Sequence, residues 1–389
     1  MTEPPAGRGR RIALVTSSFA PYFGGVEEHV RNVARVLTAR GHDVVVWTVA
    51  RDGVAAVREH EGINVRDLPT PLPDRSIGGV ATFLLRLPGA VAAWVRALRA
   101  SRPEVLHVQC FGPNGTYATL LARLLRQPLV MSSHGETLAD DSSVFESSAL
   151  ARRSLRWALT TADGVSGCSQ VVITDLEQRF GLAPARGELV PNGIDLDEPA
   201  GAPPAGLPSR YVAAVGRLQY LKGFDLLLRA FAAADLPTDI GLVIGGGGPE
   251  AEPLARLAAD LGIRDRVVLP GRLDRGQVVA LLQGAAAMAV SSRSEPFGIS
   301  VLEAWRAGAP LVVTTRGGPP DFVADGVDGL LRDPEDTAAF AAALREVVLD
   351  ENTAARLSQA GSVRVADFTW DVPAALYEGL YERALAAHA

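Results

Sequence analysis

Two glutamates, Glu295 and Glu303, flank a Pro-Phe-Gly turn and an apolar-periodic segment in the stretch SEPFGISVLEAWRAG. Three readings suit them: the acid/base pair of a hydrolase, two unrelated surface acids, or two contacts to one ligand. One continuous helix would separate the carboxylates by about 12 Å, beyond the ~5–9.5 Å that glycosidases use. Glu295 precedes the helix, however, so its side chain is not bound by that distance. A helix beginning near Gly298 offers different chemistry. The N–H groups of Phe297, Gly298 and Ile299 would then form an anion site. Glu303 would lie roughly 7–8 Å along the axis, where it suits paired hydroxyls such as a ribose diol, because its charge opposes direct contact with phosphate. A second stretch, VGRLQYLKGF, points to a similar ligand. Arg217 ends a strand and Lys222 opens the next helix, so both cations can converge on a helix start. Cations there oppose the helix dipole unless they share an anion. Arginine offers a fork matched to phosphate oxygens and lysine a point charge, so together they can neutralise a diphosphate without a metal. The alternative is two solvated loop cations.

The remaining polar motifs are weaker. VIGGGGPE, around Gly247, is a glycine-rich strand-to-helix turn that fails as a dinucleotide fingerprint. Glu250 occupies the third glycine position, and the following strand RVVLPG ends without a ribose-binding acid. A tight turn along which a ligand passes is the better reading. Gly24 and Gly25, in FGGVEE before a helix, allow a similar approach, although a plain turn explains them as well. His134, in SSHGE, follows a strand and is a site candidate, whereas His107 alternates within its strand as a packed residue. No His/Cys cluster has metal-ligand spacing, and the one Asp-x-Asp, Asp195 and Asp197, falls in a linker. Neither a nucleophile elbow nor a P-loop is present.

The elements that must position these groups alternate. The apolar strand RIALVTS is followed by a helix-period segment and the strand DVVVWTV, and the alternation continues with EVLHVQ, a helix, PLVMSSH, a long helix, DGVSGC and another helix. This is the pattern of a parallel sheet covered on both faces. A Pro/Gly/Ala-rich stretch, DLDEPAGAPPAGLPS from Asp195 to Ser209, reads as a linker, after which the alternation restarts. The expected domains are residues 1–198 and 205–369, with a last helix at about 370–389 crossing back onto the first. A chain of 389 residues with 48% apolar and 21% charged residues suits two globular domains, and a net charge of −6 disfavours nucleic acid as a partner. Cys110 and Cys168 read as core thiols in a reduced setting. The N-terminus shows no secretory pattern. VATFLLRLPGAVAAWV, the longest apolar run, is interrupted by Arg86 and is not expected to span a bilayer.

Taken in order, GGVEEH, SHGE, VPNGID, VGRLQYLKG, GGGGPE, SEPFGISVLE and GGPPDFVADGVDGLL resemble the retaining glycosyltransferases of family 4, over nearly the whole chain. The resemblance implies the α/β GT-B fold, two doubly wound Rossmann-like domains facing a central cleft. It also implies sugar transfer from a nucleoside-diphosphate sugar with retention at the anomeric carbon. Arg217 and Lys222 would then grip the diphosphate and Glu303 the ribose hydroxyls. Glu295 and the Phe297, Gly298 and Ile299 amides would contact the donor sugar and its phosphate. Gly24 and Gly25 would close over the phosphate from the other domain, and His134 would face the transferred sugar. Such enzymes need no metal or other cofactor, and a front-face displacement fits the absence of an obvious nucleophile. One departure is Asp321 in GGPPD, where the family more often has Glu.

Rival readings are a sugar-nucleotide epimerase or pseudo-glycosyltransferase on the same fold, and a non-catalytic nucleotide-sugar-binding protein. UDP is the favoured base, GDP the next. The acceptor is expected to be a small molecule or a glycolipid. Glu136, Asp140, Asp141 and Glu146 in GETLADDSSVFESS could welcome a cationic acceptor, or serve as first-turn acids of the helix. Arg86, Arg96, Arg99 and Arg102 among apolar residues suit either an interfacial helix or an ordinary surface helix. A cytoplasmic monomer or homodimer, in peripheral contact with the inner face of the membrane, completes the expectation.

Overall fold

A computed structural model of the chain describes residues 9–22, 24–73, 76–138 and 144–389. The chain packs as two units, Met1–Pro191 with Trp370–Ala389, and Asn192–Thr369.

The first unit is built on an eight-stranded sheet. Its strands are β1 (Arg11–Thr16), β2 (Asp43–Val49), β3 (Ala56–His60), β4 (Ile63–Leu68), β5 (Val105–Gln109), β6 (Leu129–Ser133), β7 (Gly164–Gly167) and β8 (Gly187–Leu189). They lie in the order β3-β4-β2-β1-β5-β6-β7-β8, all parallel except β3. The central strands β5 and β6 are buried at every position, as expected of strands covered on both faces. β1 has neighbours β2 and β5, so the order reverses there and opens a crevice at the strands' carboxyl ends. Helix α1 (Gly25–Ala39) buries Val30, Val33 and Leu37 at helical spacing and carries Glu27 and Glu28 in its first turn, where the dipole favours acids.

Sequence periodicity did not reveal the hairpin β3–β4, nor that α2 (Ile77–Ser101) is one helix through Arg86 and Pro88. Arginine is a good helix former whose stem can lie along apolar surface while its head stays wet. Over Gly78–Ser101 this helix is long and apolar enough to cross a membrane by length and composition, with 17% of it buried. The expectation that Arg86 rules out a membrane-spanning length is therefore corrected. The long helix expected after β6 is two: α4 (Val144–Ser147) and α5 (Ala149–Thr161), divided at Ser148, whose hydroxyl accepts the Ala151 N–H at 3.2 Å. Helices α3 (Pro113–Leu125) and α6 (Gln170–Phe180) complete the connections. The last helix, α13 (Asp371–Ala386), belongs to this unit and buries Tyr377, Leu380, Tyr381 and Ala384. Each large apolar side chain so covered stabilises it by about 2 kcal/mol.

The second unit has a six-stranded parallel sheet in the order β11-β10-β9-β12-β13-β14. Its strands are β9 (Arg210–Val215), β10 (Ile240–Gly245), β11 (Val267–Val268), β12 (Ala287–Val290), β13 (Leu311–Thr314) and β14 (Leu330–Arg332). Helices α7 (Phe224–Ala233), α8 (Ala251–Asp260), α9 (Arg275–Gln283), α10 (Ile299–Ala307), α11 (Thr337–Leu349) and α12 (Glu351–Arg364) cover its faces. Its reversal point lies between β9 and β12. The stretch read as a linker begins inside this unit and packs on it. The Gly201 N–H donates to Gly276 O at 2.8 Å, and Arg306 donates to Asp195 O at 2.9 Å. Lack of periodicity did not mean lack of contact. Neither cysteine forms a disulfide.

Candidate active site

The loops after β9 and β12 flank the reversal point of the second sheet, and they carry most of the residues singled out above. Lys222 does not open a helix. It ends a 3₁₀ turn, Tyr220–Lys222, and α7 begins two residues later. Gly223 makes this possible: its φ is 62°, and a Cβ there would stand 2.0 Å from Ser291 O. The bare backbone therefore presses the turn onto the end of β12. The Arg293 N–H reaches Leu221 O at 2.8 Å and the Ser291 hydroxyl reaches Lys222 O at 3.2 Å. So seated, Lys222 Nζ donates to Glu295 Oε2 at 2.7 Å, and the Ser292 hydroxyl donates to the same oxygen at 2.8 Å. Glu295 is 5% exposed, so this ion pair is largely withdrawn from water. Sequence reasoning had sent Lys222 to phosphate and Glu295 to sugar without placing one on the other.

Glu295 is gripped through its backbone as well. Its N–H donates to Arg316 O at 3.0 Å and its carbonyl accepts from the Gly318 N–H at 2.8 Å. Gly317, at φ 123°, faces it so closely that a Cβ would stand 2.0 Å from Glu295 O. Neither Gly223, Ser292 nor Gly317 was picked from the sequence. The only signal for them was a glycine directly after Lys222 and the paired glycines of RGGPP.

Gly298 caps α10 in the left-handed region, at φ 100°. Among the described residues no acceptor takes the N–H of Phe297, Gly298 or Ile299, so the turn presents donors. The Phe297 ring itself is buried, stacked on Phe322 at 4.7 Å beside Trp305 and Phe368, and it anchors the turn. Glu303, one turn deeper, has no hydrogen-bond donor on its carboxylate among the described residues. Burial raises its pKa, Arg306 opposes the rise and Glu198 adds to it. A desolvated carboxylate with no protein partner is an acceptor in waiting.

Arg217 is exposed beyond β9, and no acid pairs with it among the described residues. The loop carrying it is laced to the glycine-rich loop, with the Leu218 N–H on Gly247 O at 3.0 Å and the Glu250 N–H on Leu218 O at 3.1 Å. A Cβ on Gly246 would meet Gly216 O at 1.8 Å, and one on Gly248 would meet Leu218 O at 2.3 Å. Those two glycines serve loop-to-loop packing rather than passage of a ligand. Gly247 alone is open, with Arg272 Cβ at 3.9 Å. Asp321 is exposed on the 3₁₀ turn Pro319–Asp321.

In the first unit, His134 follows β6. Its Nε2–H donates to Gln109 Oε1 at 2.7 Å, and its ring lies 4.5 Å from that of His29. Burial lowers its pKa to about 4. His107 is fully buried between the Tyr381 hydroxyl (2.6 Å) and the Ser132 hydroxyl (2.7 Å). Burial, then the neighbouring His134, lowers its pKa to about 3. Gly24 caps α1 with extended backbone, and Gly25 is the helix's first residue rather than preceding it. Phe23, in the same loop, lies outside the described residues.

Of the two readings of the acids after His134, the acidic mouth does not form. Glu136 is turned into its own loop, accepting from Phe111 N–H (2.8 Å), His134 N–H (2.8 Å) and the Ser133 hydroxyl (2.9 Å). Glu146 pairs with Arg179. Asp140 and Asp141 lie outside the described residues.

Comparison with known proteins bears on this geometry. Residues 203–364 match the family described as Glycosyl transferases group 1, and residues 23–198 match Glycosyltransferase Family 4. The chain is 31% identical to a D-inositol 3-phosphate glycosyltransferase of Acidothermus cellulolyticus, over 97% of this chain and 91% of that one. It is 30% identical to a glycogen synthase of Mycobacterium tuberculosis, covering 95% and 94% of the two chains. Among solved structures, sucrose-phosphate synthase from Thermosynechococcus elongatus superposes with a TM-score of 0.77 at 22% identity, over 97% of this chain and 100% of that one. Anabaena Alr3699/HepE, in complex with UDP and glucose, gives 0.73 at 20% identity, over 95% and 98%. At such identities the likeness to the solved structures is one of fold.

Proposed function

The chain belongs to glycosyltransferase family 4, a glycosyltransferase of GT-B fold, and on that premise we propose that it moves a sugar from a nucleoside-diphosphate sugar to an acceptor hydroxyl with retention. The observation that carries this is the second sheet's reversal point: the half-buried Lys222–Glu295 pair, the open N–H groups of the Gly298 turn, and Glu303 one turn deeper, its carboxylate without a hydrogen-bond donor among the described residues. Arg217 and Lys222 take the diphosphate, Glu303 the ribose hydroxyls and Glu295 the sugar, while Gly247 lets the donor lie against its loop. Gly24 and Gly25 cover the phosphate, and His134 meets the transferred sugar. Bond cleavage builds charge on the leaving diphosphate. Preset cations and amide dipoles stabilise that charge without reorganising. The Lys222 ammonium is shared between Glu295 and phosphate once donor binds. The leaving phosphate then takes the acceptor proton in a front-face displacement that needs no metal.

UDP is the favoured base, in keeping with the UDP bound to the HepE structure, and GDP the next. Thermal shift against UDP-, GDP-, ADP- and TDP-sugars tests the donor, since a ligand bound only by the folded state raises its stability. A panel without any shift would overturn the donor site, and a product inverted at the anomeric carbon would end the retaining assignment. Activity is expected to survive EDTA; a strict divalent-cation requirement would refute the metal-free mechanism.

The acceptor is a small molecule or a glycolipid, and one surface favours the second. The first half of α2 lies at the carboxyl end of the first sheet, as does His134. There Leu85 is 83% and Leu84 59% exposed. At 100° per residue Arg96 and Arg99 share the face of Leu85, and Ile77 to Arg102 contains no acid. Apolar residues ringed by arginines suit an anionic leaflet. A cytoplasmic monomer or homodimer peripheral to the inner membrane face follows. It should co-sediment with vesicles of phosphatidylcholine plus phosphatidylglycerol and not with phosphatidylcholine alone. Equal behaviour on both, or no effect of Leu85→Glu, would remove the membrane contact.

A further inference from the structure

Gln109 ends β5 and pairs in register with Ser132 of β6, one strand over from the loop that carries His134. Its amide is clamped at both ends. Oε1 accepts from His134 Nε2 at 2.7 Å, while the amide nitrogen lies 3.2 Å and 3.3 Å from the ring nitrogens of His107 and meets the Tyr377 hydroxyl. Behind it stands a second layer supplied by α13. The Tyr381 hydroxyl holds His107 Nδ1, His107 Nε2 holds Ser132, Ser132 holds Ser166 at 2.6 Å, and the Tyr377 hydroxyl holds His29 Nε2 at 2.9 Å.

We propose that Gln109 is the positioning residue of His134, fixing it as the uncharged Nε2–H tautomer so that Nδ1 meets the donor sugar as an acceptor of a hydroxyl hydrogen. The inference rests on the assignment of His134 to the sugar made above. A carbonyl oxygen can only accept, so the proton between Gln109 and His134 belongs to the imidazole. A second proton on Nδ1 would create an imidazolium with no carboxylate at its ring among the described residues. The titratable groups near it are His29 from α1, whose ring lies 4.5 Å away, His107 from β5, and Glu136, whose carboxylate is spent on Phe111, Ser133 and the His134 backbone; Tyr377 and Tyr381 from α13 stand behind the two histidines. His134 therefore reads a sugar hydroxyl and does not act as a cation toward the diphosphate. The helix that closes the chain supplies the tyrosines that hold this arrangement in place.

The test uses the full chain labelled with ¹⁵N-histidine, read by long-range ¹H–¹⁵N correlation, with His134→Ala assigning the resonance among six histidines. His134 should show the Nε2–H pattern and stay uncharged from pH 8 to 5.5. Gln109→Glu sets a carboxylate against the ring and should raise its titration midpoint by about two pH units or more. Turnover of UDP-glucose to UDP is the second arm. His134→Ala and Gln109→Leu should each lower kcat by about tenfold, with KM for Gln109→Leu held within about twofold. Gln109→Glu should lose activity at pH 6 and regain it as pH rises, which a misfolded variant would not do. An Nδ1–H tautomer, titration of the wild-type ring near its ordinary value, or an unmoved midpoint in Gln109→Glu would overturn the proposal. So would full kcat in Gln109→Leu beside a crippled His134→Ala. Full turnover by His134→Ala would overturn instead the assignment of His134 to the sugar. Absence of wild-type turnover would count against the UDP-glucose donor and leave the spectra to decide the tautomer.

Discussion

Lowering the pH from 7.5 to 5.5 should destabilise the first unit through two buried histidines. His107 and His134 are held near pKa 3 and 4, against an ordinary 6.5 when unfolded, because burial disfavours their charged forms. The folded state thus binds fewer protons than the unfolded state. Stability is complete above the unfolded value and falls as pH drops through 6.5 toward 4 and 3. At pH 5.5 each unfolded imidazole is mostly protonated and each folded one mostly neutral. Linkage then assigns about 1.3 kcal/mol to each and about 3 kcal/mol to the pair. Glu136 acts in the opposite sense, since burial raises its pKa and protonation favours its folded form, so it offsets part of this loss. Urea titrations followed by tryptophan fluorescence fit the problem. Trp47, Trp94, Trp157 and Trp370 belong to this unit, and only Trp305 to the other. His107→Asn removes one titrating ring and should flatten the pH dependence by about half. A wild-type protein equally stable at both pH values, or a His107→Asn slope equal to the wild-type slope, would refute the reasoning.

Three further outcomes are expected at the donor site. Glu303→Ala should weaken UDP-sugar binding by about tenfold in thermal-shift titrations, the scale of a lost hydrogen bond to a charged group, whereas exposed Glu351→Ala should not. Equal effects would remove the ribose role. Lys222→Ala strands a buried carboxylate and should lower stability by about 1–3 kcal/mol, the lysine being partly solvated. Adding Glu295→Gln should restore the melting temperature but not donor binding; a single mutant as stable as wild type would deny that the pair is buried. Gly317→Ala should abolish turnover by displacing Glu295, while Gly326→Ala, with nothing within 4 Å, should cost about 1 kcal/mol of stability and leave activity intact.

Much was legible in the chain because strand–helix alternation and loop chemistry are local. Arg217, Lys222, Glu295, Gly298 and Glu303 were singled out from residue type and place relative to predicted strands. The misreadings share a cause. Lys222 was set at the start of a helix because nothing local revealed that Gly223 takes a left-handed conformation against Ser291, far away in sequence. Gly246 and Gly248 were read as ligand-facing because the loop they press on, Gly216 to Leu218, lies about thirty residues earlier. Glu136 was read as lining a mouth or as a first-turn helix acid, yet its three donors fold it into its own loop.

By itself the sequence determined which residue types stand in the loops after the strands: two doubly wound halves, with cations, glycines and acids in the loops of one and a histidine in a loop of the other. Only tertiary structure decided the pairing of Lys222 with Glu295, the isolation of Glu303 and the chain Tyr381–His107–Ser132 behind Gln109 and His134. These depend on strands, loops and a helix that lie side by side but are separated by 25 to more than 270 positions in the chain. Periodicity reports which face of an element is apolar; it carries no information about which polar groups meet once those faces are buried.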